Sequence, residues 1–294
     1  MRVKQTKTPV AILGTGNIGS DLLSKILRSE TLECVLFAGQ DPLSRGIARA
    51  KALGITVSSD SIWSIVKAKK NIDIVFDATS AKHHALHAPI LKKLKKFTID
   101  MTPSHIGTLC VPVVNMKSGI SSANVSMISC GGQATIPIIH AISSLIPNIQ
   151  YVEIVSSISS QSAGIGTRDN IDEYTQTTSD AIVRLTGVRM AKTIIILNAA
   201  DPPSMMHNTI YIPAVTPDIN AISQAVSLAV LSVKKYTPGY SLIHPPFYDH
   251  GRIVIQTQVV GLGDYLPVYA GNLDIINCAA IAVAEEYAKK HHHH

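Results

Sequence analysis

The sequence predicts an α/β domain built on a parallel sheet, then an α+β domain, then a long C-terminal helix. Three observations carry this expectation. In the first half, short β-branched runs alternate with helical periodicity, the pattern of parallel strands joined by right-handed crossovers. Beyond residue 130 the strand-like runs lengthen and alternate apolar with polar residues, as in a sheet covered by helices on one face. Hydrophobic residues make up 46% of 294 and charged residues only 16%, which supplies a sizeable core and excludes disorder.

Each element has its own signal. PVAILGTGNIG reads as a strand running into a Gly-rich turn, and SDLLSKILRS as a helix with Leu22, Leu23, Ile26 and Leu27 on its apolar face. LECVLFAG is a second strand, and DPLSRGIARAKALG a helix stopped by Gly54. IDIVFDAT, the helix AKHHALHAPILKKLKK and the short strand FTIDMTP, ended by Pro103, complete the alternation. After Cys130, QATIPIIHAISSLI reads as a helix with Pro137 tolerated near its start. YVEIVSSISS, KTIIILNAA, NTIYIPAV and GRIVIQTQVVG read as the longer strands. TPDINAISQAVSLAVLSVKKY is an amphipathic helix capped by Asp218, and NLDIINCAAIAVAEEYAKK the closing helix. The expected domains are residues 1–130 plus 271–290 and residues 131–270. The final HHHH, residues 291–294, reads as a tag remnant and is set aside.

Composition excludes several classes. The net charge of +6 comes largely from lysines such as Lys67, Lys69 and Lys70 and the group Lys92, Lys93, Lys95 and Lys96. No aromatic residues interleave with them, so they describe solvated helix ends, not a nucleic-acid surface. A positive field still favours an anionic small molecule. The opening MRVKQTKTPV is too polar for a secretory signal, and no apolar run reaches membrane-spanning length. Cys34, Cys110, Cys130 and Cys278 lack metal-ligand spacing and suit free thiols in a reducing cytoplasm. His83, His84 and His87 have no acidic partner nearby in sequence and are expected as solvated helix residues, with no metal.

Gly14-Thr15-Gly16-Asn17-Ile18-Gly19 is GxGxxG between a strand and a helix, the context of a dinucleotide-binding turn. Gly14 permits the turn, Gly16 lets the backbone approach a pyrophosphate, and Gly19 lets helix pack on strand. Asp41 follows the second strand, placed to accept from a ribose 2′-hydroxyl, which favours NAD. Arg45 and Arg49 leave a 2′-phosphate, and so NADP, open.

SCGGQATIP puts Cys130 at the start of a helix, whose unpaired N–H groups and dipole favour a thiolate. Gly131 and Gly132 follow with backbone N–H groups able to hold an oxyanion. A cysteine paired with a nicotinamide cofactor points to covalent aldehyde oxidation through a thiohemiacetal and a thioester. The other three cysteines lie within apolar patterns and are expected to be inert. SSQSAGIGTRDN, residues 159–170, is a second small-residue loop suited to close approach of a ring or phosphate, with Arg168 adding charge.

Taken together, GTGNIGSDLL, VFDATSA, IDMTPSHIGTLCVPVVN, SCGGQATIP, EIVSSISSQSAGIGTRDNIDEYTQTT, IIILNAADPP and YLPVYAGNLDI resemble the acylating acetaldehyde dehydrogenases of the bacterial meta-cleavage pathway. Those enzymes serve aromatic hydrocarbon catabolism as partners of 4-hydroxy-2-oxovalerate aldolase. The resemblance spans residue 10 to about 275. It implies an α/β Rossmann domain plus an α+β catalytic and dimerisation domain resembling glyceraldehyde-3-phosphate dehydrogenase, with homodimers formed through the second domain. It implies the reaction of a short aldehyde with coenzyme A and NAD to give acyl-coenzyme A and NADH, with Cys130 as the acyl-carrying nucleophile. At the cofactor it places Thr15, Gly16, Asn17 and Ile18; then Ser162, Ala163, Gly164, Ile165 and Gly166; then Thr167, Arg168, Asp169 and Asn170; and finally Asn272. Asn170 and Ile171 would lie near the end of a tunnel bringing aldehyde from the aldolase. The chain departs from the family at His207-Asn208, where Arg-Asp is common and the Asp is implied in activating the thiol or water. Asn208 can hydrogen-bond but cannot take a proton, so it positions a group, or His207 supplies a base, or activity is weak, with positioning ranked first. The segment between Tyr240 and Gly261 is also shorter than in the family. Alternatives are a phosphorylating semialdehyde dehydrogenase, which would need cationic groups that the neighbourhood of Cys130 lacks, and a non-catalytic nucleotide-binding partner of an aldolase.

Overall fold

The computed structural model describes residues 7–164, 168 and 171–291. They fall into two compact units, one of Met1–Cys110, Met116–Met127 and Ala280–His294, the other of Val111–Asn115 and Ile128–Ala279.

The first unit alternates strand and helix: β1 (Thr8–Leu13), α1 (Asn17–Leu27), β2 (Leu32–Ala38), α2 (Arg45–Ala52), β3 (Val57–Ser58), α3 (Ile62–Lys67), β4 (Ile74–Asp77), α4 (Ala81–Lys93), β5 (Phe97–Asp100), β6 (Thr108–Leu109), α5 (Pro112–Ile120, broken at Asn115) and β7 (Asn124–Ser126). The strands form one parallel sheet in the order β3-β2-β1-β4-β5-β7-β6. Its central strands are apolar on both faces, as a sheet covered on both sides requires. Ala11, Leu13, Leu36, Ala38 and Val75 pack with Ile62, Ile65, Ile72 and Leu91. On α1, Leu22, Leu23 and Ile26 are buried as their spacing predicts, but Leu27 is 45% exposed. It follows Ile26 by about 100° of helix rotation, which carries it past the edge of the buried face.

The second unit takes Val111–Asn115, with the start of α5, and then α6 (Cys130–Ser143), β8 (Val152–Ser159), α7 (Ile171–Thr186), β9 (Ala191–Asn198), β10 (Met206–Pro213), α8 (Ile219–Lys234), β11 (Tyr240–Leu242), β12 (Phe247–Asp249) and β13 (Arg252–Val259). The sheet runs β11-β13-β10-β8-β9, with β12 paired to β13. It is antiparallel except for β8 against β9. On β10, Met206, Asn208, Ile210 and Ile212 are buried while His207, Thr209 and Tyr211 are half-exposed. That is the period-2 signature of a sheet with one covered face. Helix α6 packs between α7 and α8. It begins at Cys130, so Pro137 lies two turns inside it, deeper than the sequence suggested, and cannot donate to the carbonyl of Gln133. Asp218 caps α8 by accepting from the Ala221 N–H at 3.0 Å.

The last helix, α9 (Gly271–His291), contributes its residues from Ala280 onward to the first unit. There Tyr287 stacks on Phe97 with ring centroids 3.8 Å apart, and Ser29 donates to Glu285 at 2.6 Å.

Candidate active site

The GxGxxG turn joins β1 to α1. Gly14 has φ +105°, and a Cβ there would lie 2.3 Å from the carbonyl oxygen of Ala78. A Cβ on Gly19 would lie 1.9 Å from the Gly14 carbonyl oxygen. Both positions therefore require glycine for the fold itself. Gly16 differs: nothing lies within 4 Å of its missing Cβ, and as N-cap of α1 it offers no side-chain acceptor to the helix. The helix N-terminus is thus open to an anion, and a side chain at Gly16 would fill the space that an anion needs. Asn17 is exposed and Ile18 half-buried beside it. Thr15 accepts from Ser44 at 3.0 Å, and Ser44 caps α2. Asp41 sits exposed in the loop before α2, its Oδ1 accepting from the Leu43 N–H at 2.9 Å. Arg49 donates to Ser24 on α1 at 2.9 Å, while Arg45 is exposed.

Of the three histidines of α4, His83 is half-exposed, but two are not the solvated residues expected from sequence. His84 and His87 are buried, and each places Nδ1 2.9 Å from Oδ2 of Asp77 at the end of β4. The acidic partner sits seven and ten residues upstream and reaches them because the β4–α4 turn folds α4 back over its strand. Nε2 of His84 lies 3.6 Å from Asp100 and 3.0 Å from the Asn124 amide. Asp77 is held well below the usual carboxylate range, since its bonds from His84, His87 and Thr79 outweigh the opposing effect of its burial. Burial raises the Asp100 carboxyl to about 6.

In the second unit, Cys130 is the first residue of α6. Of the four cysteines it alone is not fully buried. Burial pushes the thiols of Cys34 and Cys110 to about 12. Burial also pushes Cys130 above its ordinary value, contrary to the lowering expected from its place on the helix. The groups able to favour its thiolate are the Tyr174 hydroxyl and the N–H groups of Gly131 and Cys130 itself. The Gly132 N–H is not an oxyanion donor: it donates at 2.9 Å to Ser129, the N-cap of α6. Ser129 also bonds Thr178 at 2.6 Å, which ties α6 to α7.

The thiol sits 3.7 Å from Oη of Tyr174, on the first turn of α7. A Cβ on Gly131 would lie 2.2 Å from that hydroxyl and 3.0 Å from Ser156 Oγ, so the glycine makes room for both. Ser156 on β8 donates to Oδ1 of Asn208 on β10 at 2.8 Å, and Nδ2 of Asn208 donates to Thr257 on β13 at 3.3 Å. These three residues are direct cross-strand partners, all buried on the covered face. Asn208 therefore positions a polar row that reaches Tyr174. His207 cannot supply a base to Cys130. It faces the opposite side of the sheet, where it pairs with Gln258 at 3.0 Å.

The loop after β8 is drawn together by Arg168, which donates to the carbonyls of Ala163 at 3.1 Å and Ser160 at 2.7 Å. Ser162 is buried and donates to the Ser159 carbonyl at 2.9 Å, and Gly164 is exposed. Ile165, Gly166, Thr167, Asp169 and Asn170 lie outside the described residues. Asn272, in the first turn of α9, is 1% exposed, and its Oδ1 has no hydrogen-bond partner among the described residues.

Tyr174, Ser156 and Thr257 are the residues that sequence reasoning missed. A signal existed for Tyr174. Tyr174, Thr177, Thr178, Ala181 and Ile182 follow helical spacing behind the acidic pair Asp172 and Glu173, and they form the buried face of α7.

A family model described as prokaryotic acetaldehyde dehydrogenase, dimerisation, matches residues 130–267. An acetaldehyde dehydrogenase of Spirochaeta aurantia is 48% identical over 283 residues, covering 96% of this chain and 95% of its own. Those of Pectobacterium atrosepticum and Geobacillus stearothermophilus are 50% and 49% identical over 95% and 97% of this chain, and the same shares of theirs. Among solved structures, aspartate semialdehyde dehydrogenase II of Vibrio cholerae, complexed with ASA, superposes with a TM-score of 0.64 at 13% identity, over 97% of this chain and 99% of that one. A probable aspartate-semialdehyde dehydrogenase of Pseudomonas aeruginosa gives 0.68 at 11% identity, over 97% and 100%. These likenesses show the fold, a Rossmann domain with an α+β catalytic domain of the glyceraldehyde-3-phosphate dehydrogenase kind. With nearly half its residues shared along almost its entire length, the chain belongs to the acetaldehyde dehydrogenase family of oxidoreductases.

Proposed function

We propose that this enzyme oxidises acetaldehyde, or another short aliphatic aldehyde, with NAD and coenzyme A to the acyl-coenzyme A through a thioester on Cys130. The observation that carries the reading is the thiol itself. It is the one cysteine left partly exposed, it opens a helix, and a tyrosine hydroxyl and two backbone N–H groups surround it.

Two observations support a dinucleotide. The turn at Gly14–Gly19 leaves open space at Gly16 before an uncapped helix N-terminus, a cradle for a pyrophosphate. The buried Oδ1 of Asn272 is an acceptor suited to a carboxamide. Asp41 would take the ribose hydroxyls and favour NAD. Thr15, Ile18 and the loop from Ser162 would line the rest. Bound there, the nicotinamide supplies the acceptor for a hydride.

Cys130 then has two tasks. Its sulfur attacks the aldehyde carbonyl, forming an S–C bond as the C=O π bond opens onto oxygen, which gains charge and then takes up the proton given up by the thiol. The N–H groups of Cys130 and Gly131 are the fixed dipoles nearest the sulfur and favour its anionic form. The carbon then loses hydride and its hydroxyl loses a proton to solvent; the sulfur of coenzyme A attacks the resulting thioester, the C–S bond to Cys130 breaks, and the proton given up by coenzyme A restores the Cys130 thiol. Asn208 holds Ser156 and, through it, the position of Tyr174, and takes no proton.

A homodimer is the natural assembly. The family model matched by residues 130–267 is one for dimerisation, and the uncovered sheet face carries the half-buried Val155, Ile194, Thr209 and Tyr211, with Ile196 46% exposed. Ile171, 36% exposed at the head of α7, would lie near the end of a tunnel bringing aldehyde from an aldolase partner. Among the described residues no helix is long and apolar enough to cross a membrane.

The test is NADH formation from acetaldehyde with coenzyme A, with phosphate in its place, and with neither, in wild type and Cys130→Ala. Formation that requires both coenzyme A and Cys130 is expected. Turnover with phosphate alone, or turnover in Cys130→Ala, would overturn the reading.

A further inference from the structure

We propose that His84 and His87 are positioning residues for the dinucleotide: together they grip one oxygen of Asp77, so that its other oxygen fixes the β4–α4 turn against the turn at Gly14–Gly19. This rests on the reading of Gly14–Gly19 as a dinucleotide site and goes beyond it by assigning what holds the neighbouring wall of that site in place.

The two turns are in close contact. β4 lies next to β1 in the sheet, so both turns leave its carboxyl edge side by side. The Ala78 N–H donates to the Leu13 carbonyl at 2.7 Å. A Cβ on Gly14 would lie 2.3 Å from the Ala78 carbonyl oxygen and 3.1 Å from the Thr79 nitrogen. A shift of Ala78 or Thr79 is therefore felt at Gly14, the first residue of the cradle. Asp77 fixes this stretch. Its Oδ1 accepts from the Thr79 N–H at 3.2 Å and from the Thr79 hydroxyl. Its Oδ2 lies 2.9 Å from Nδ1 of both His84 and His87, which share one face of α4. Asp77 is ionised, and a carboxylate only accepts, so both rings donate from Nδ1. Neither ring need be charged for this, since Nδ1 carries hydrogen in the charged ring and in one neutral tautomer.

Burial gives the grip its role. Asp77 and His84 are 0% exposed and His87 is 4% exposed, so neither ring meets a substrate, and a carboxylate held there depends on its donors. Asp100, the register partner of Asp77 on β5, supplies a contrast. It fastens its own turn in the same way, accepting from the Thr102 N–H at 2.8 Å and from Ser104 at 2.6 Å. Yet Nε2 of His84 stands 3.6 Å from it, beyond a hydrogen bond, and β5 does not adjoin β1. The doubled grip thus belongs to the strand whose turn abuts the cradle. Each imidazole gives the carboxylate a charge-assisted bond. Removing one leaves Asp77 short of a donor where water does not compensate, so the carboxylate turns and Thr79 loses its anchor. The cost falls on binding, because the cradle is no longer held ready in the form that the dinucleotide needs.

The test is the dissociation constant of NADH, read by fluorescence titration of the full-length protein. His87→Leu removes one donor. His87→Asn keeps it, since the amide nitrogen of asparagine stands where Nδ1 does. Leucine is the closer match to histidine in volume, so a ring that served only to fill space would be replaced better by leucine. The expected result is the reverse. His87→Leu should bind NADH roughly tenfold more weakly than wild type, and His87→Asn within about threefold of it. The alkylation rate of Cys130, which lies in the other unit, should match wild type in both. Should His87→Leu fail to fold, His84→Leu against His84→Asn makes the same comparison at the second donor. Wild-type affinity in the leucine variants, or asparagine variants that bind no better than leucine ones, would overturn the proposal. The dinucleotide reading is separable, because wild type alone tests it. If wild type binds neither NADH nor NADPH, that reading fails and the positioning role fails with it.

Discussion

Gly131→Ala sets two effects of opposite sign against each other at the thiol. In a helix interior, alanine is favoured over glycine by about 1 kcal/mol, and by less in a first turn, where residue 131 lies. Against this, the new Cβ would lie 2.2 Å from Oη of Tyr174 and 3.0 Å from Ser156 Oγ. Neither group can step aside freely. The Tyr174 ring is buried, and Ser156 is held by Asn208 across the strands. Overpacking of this kind costs about 1–3 kcal/mol, and parting Tyr174 from Ser156 adds about 1–3 kcal/mol for a buried hydroxyl left without its partner. The net expectation is a loss of about 2–4 kcal/mol in urea unfolding at constant m value, with a change in the alkylation rate of Cys130. The control is Gly164→Ala, where nothing lies within 4 Å of the added methyl and no comparable loss is expected. A Gly131→Ala protein as stable as wild type, with an unaltered alkylation rate, would refute the packing argument.

Three further outcomes are expected. Gly16→Ala should leave stability close to wild type, because its Cβ meets nothing, yet weaken NAD binding at least tenfold in a fluorescence titration; Gly14→Ala should damage both, since its Cβ collides with the Ala78 carbonyl at positive φ. Limited iodoacetamide at pH 8 should label Cys130 well before Cys34 and Cys110, whose thiols are raised to about 12, and labelling of those two first would contradict the burial described. Asp100 is raised from 3.8 to about 6, so it binds a proton more tightly folded than unfolded. Its contribution is fully present below about pH 4 and lost as pH rises through about 6. Asp100→Asn should therefore flatten the decline of Tm between about pH 4 and 6, and an unchanged slope there would show that Asp100 does not titrate in this window.

Up to Asp100 the alternation of strand and helix was legible wherever an element is long enough to show its period. The two- and three-residue strands β3, β6 and β7 were not, since so few residues carry no periodicity. At the site, Gly14–Gly19 and Cys130 stood out because their chemistry depends on residue type in a local pattern. Tyr174, Ser156, Asn208 and Thr257 meet only through cross-strand register and helix packing, which bring residue 156 beside 208 and 208 beside 257. Local reading of His207 also misled. Its neighbour Asn208 faces Cys130's side of the sheet, so His207 must face the other. His84 and His87 were misjudged for a related reason. Their acid, Asp77, lies on the preceding strand, beyond the spacing of helix neighbours.

The route of the chain through the first unit bears on how the protein is made. That unit takes its final helical segment from residues beyond 280, among them Glu285 on Ser29 and Tyr287 on Phe97. On a ribosome, which releases the chain from its amino end, the seven-stranded sheet emerges before the residues beyond 280 that cover those positions. The second unit, almost wholly encoded between those events, can condense first. Until the residues beyond 280 emerge, Phe97 lacks the Tyr287 ring that stacks on it in the folded protein.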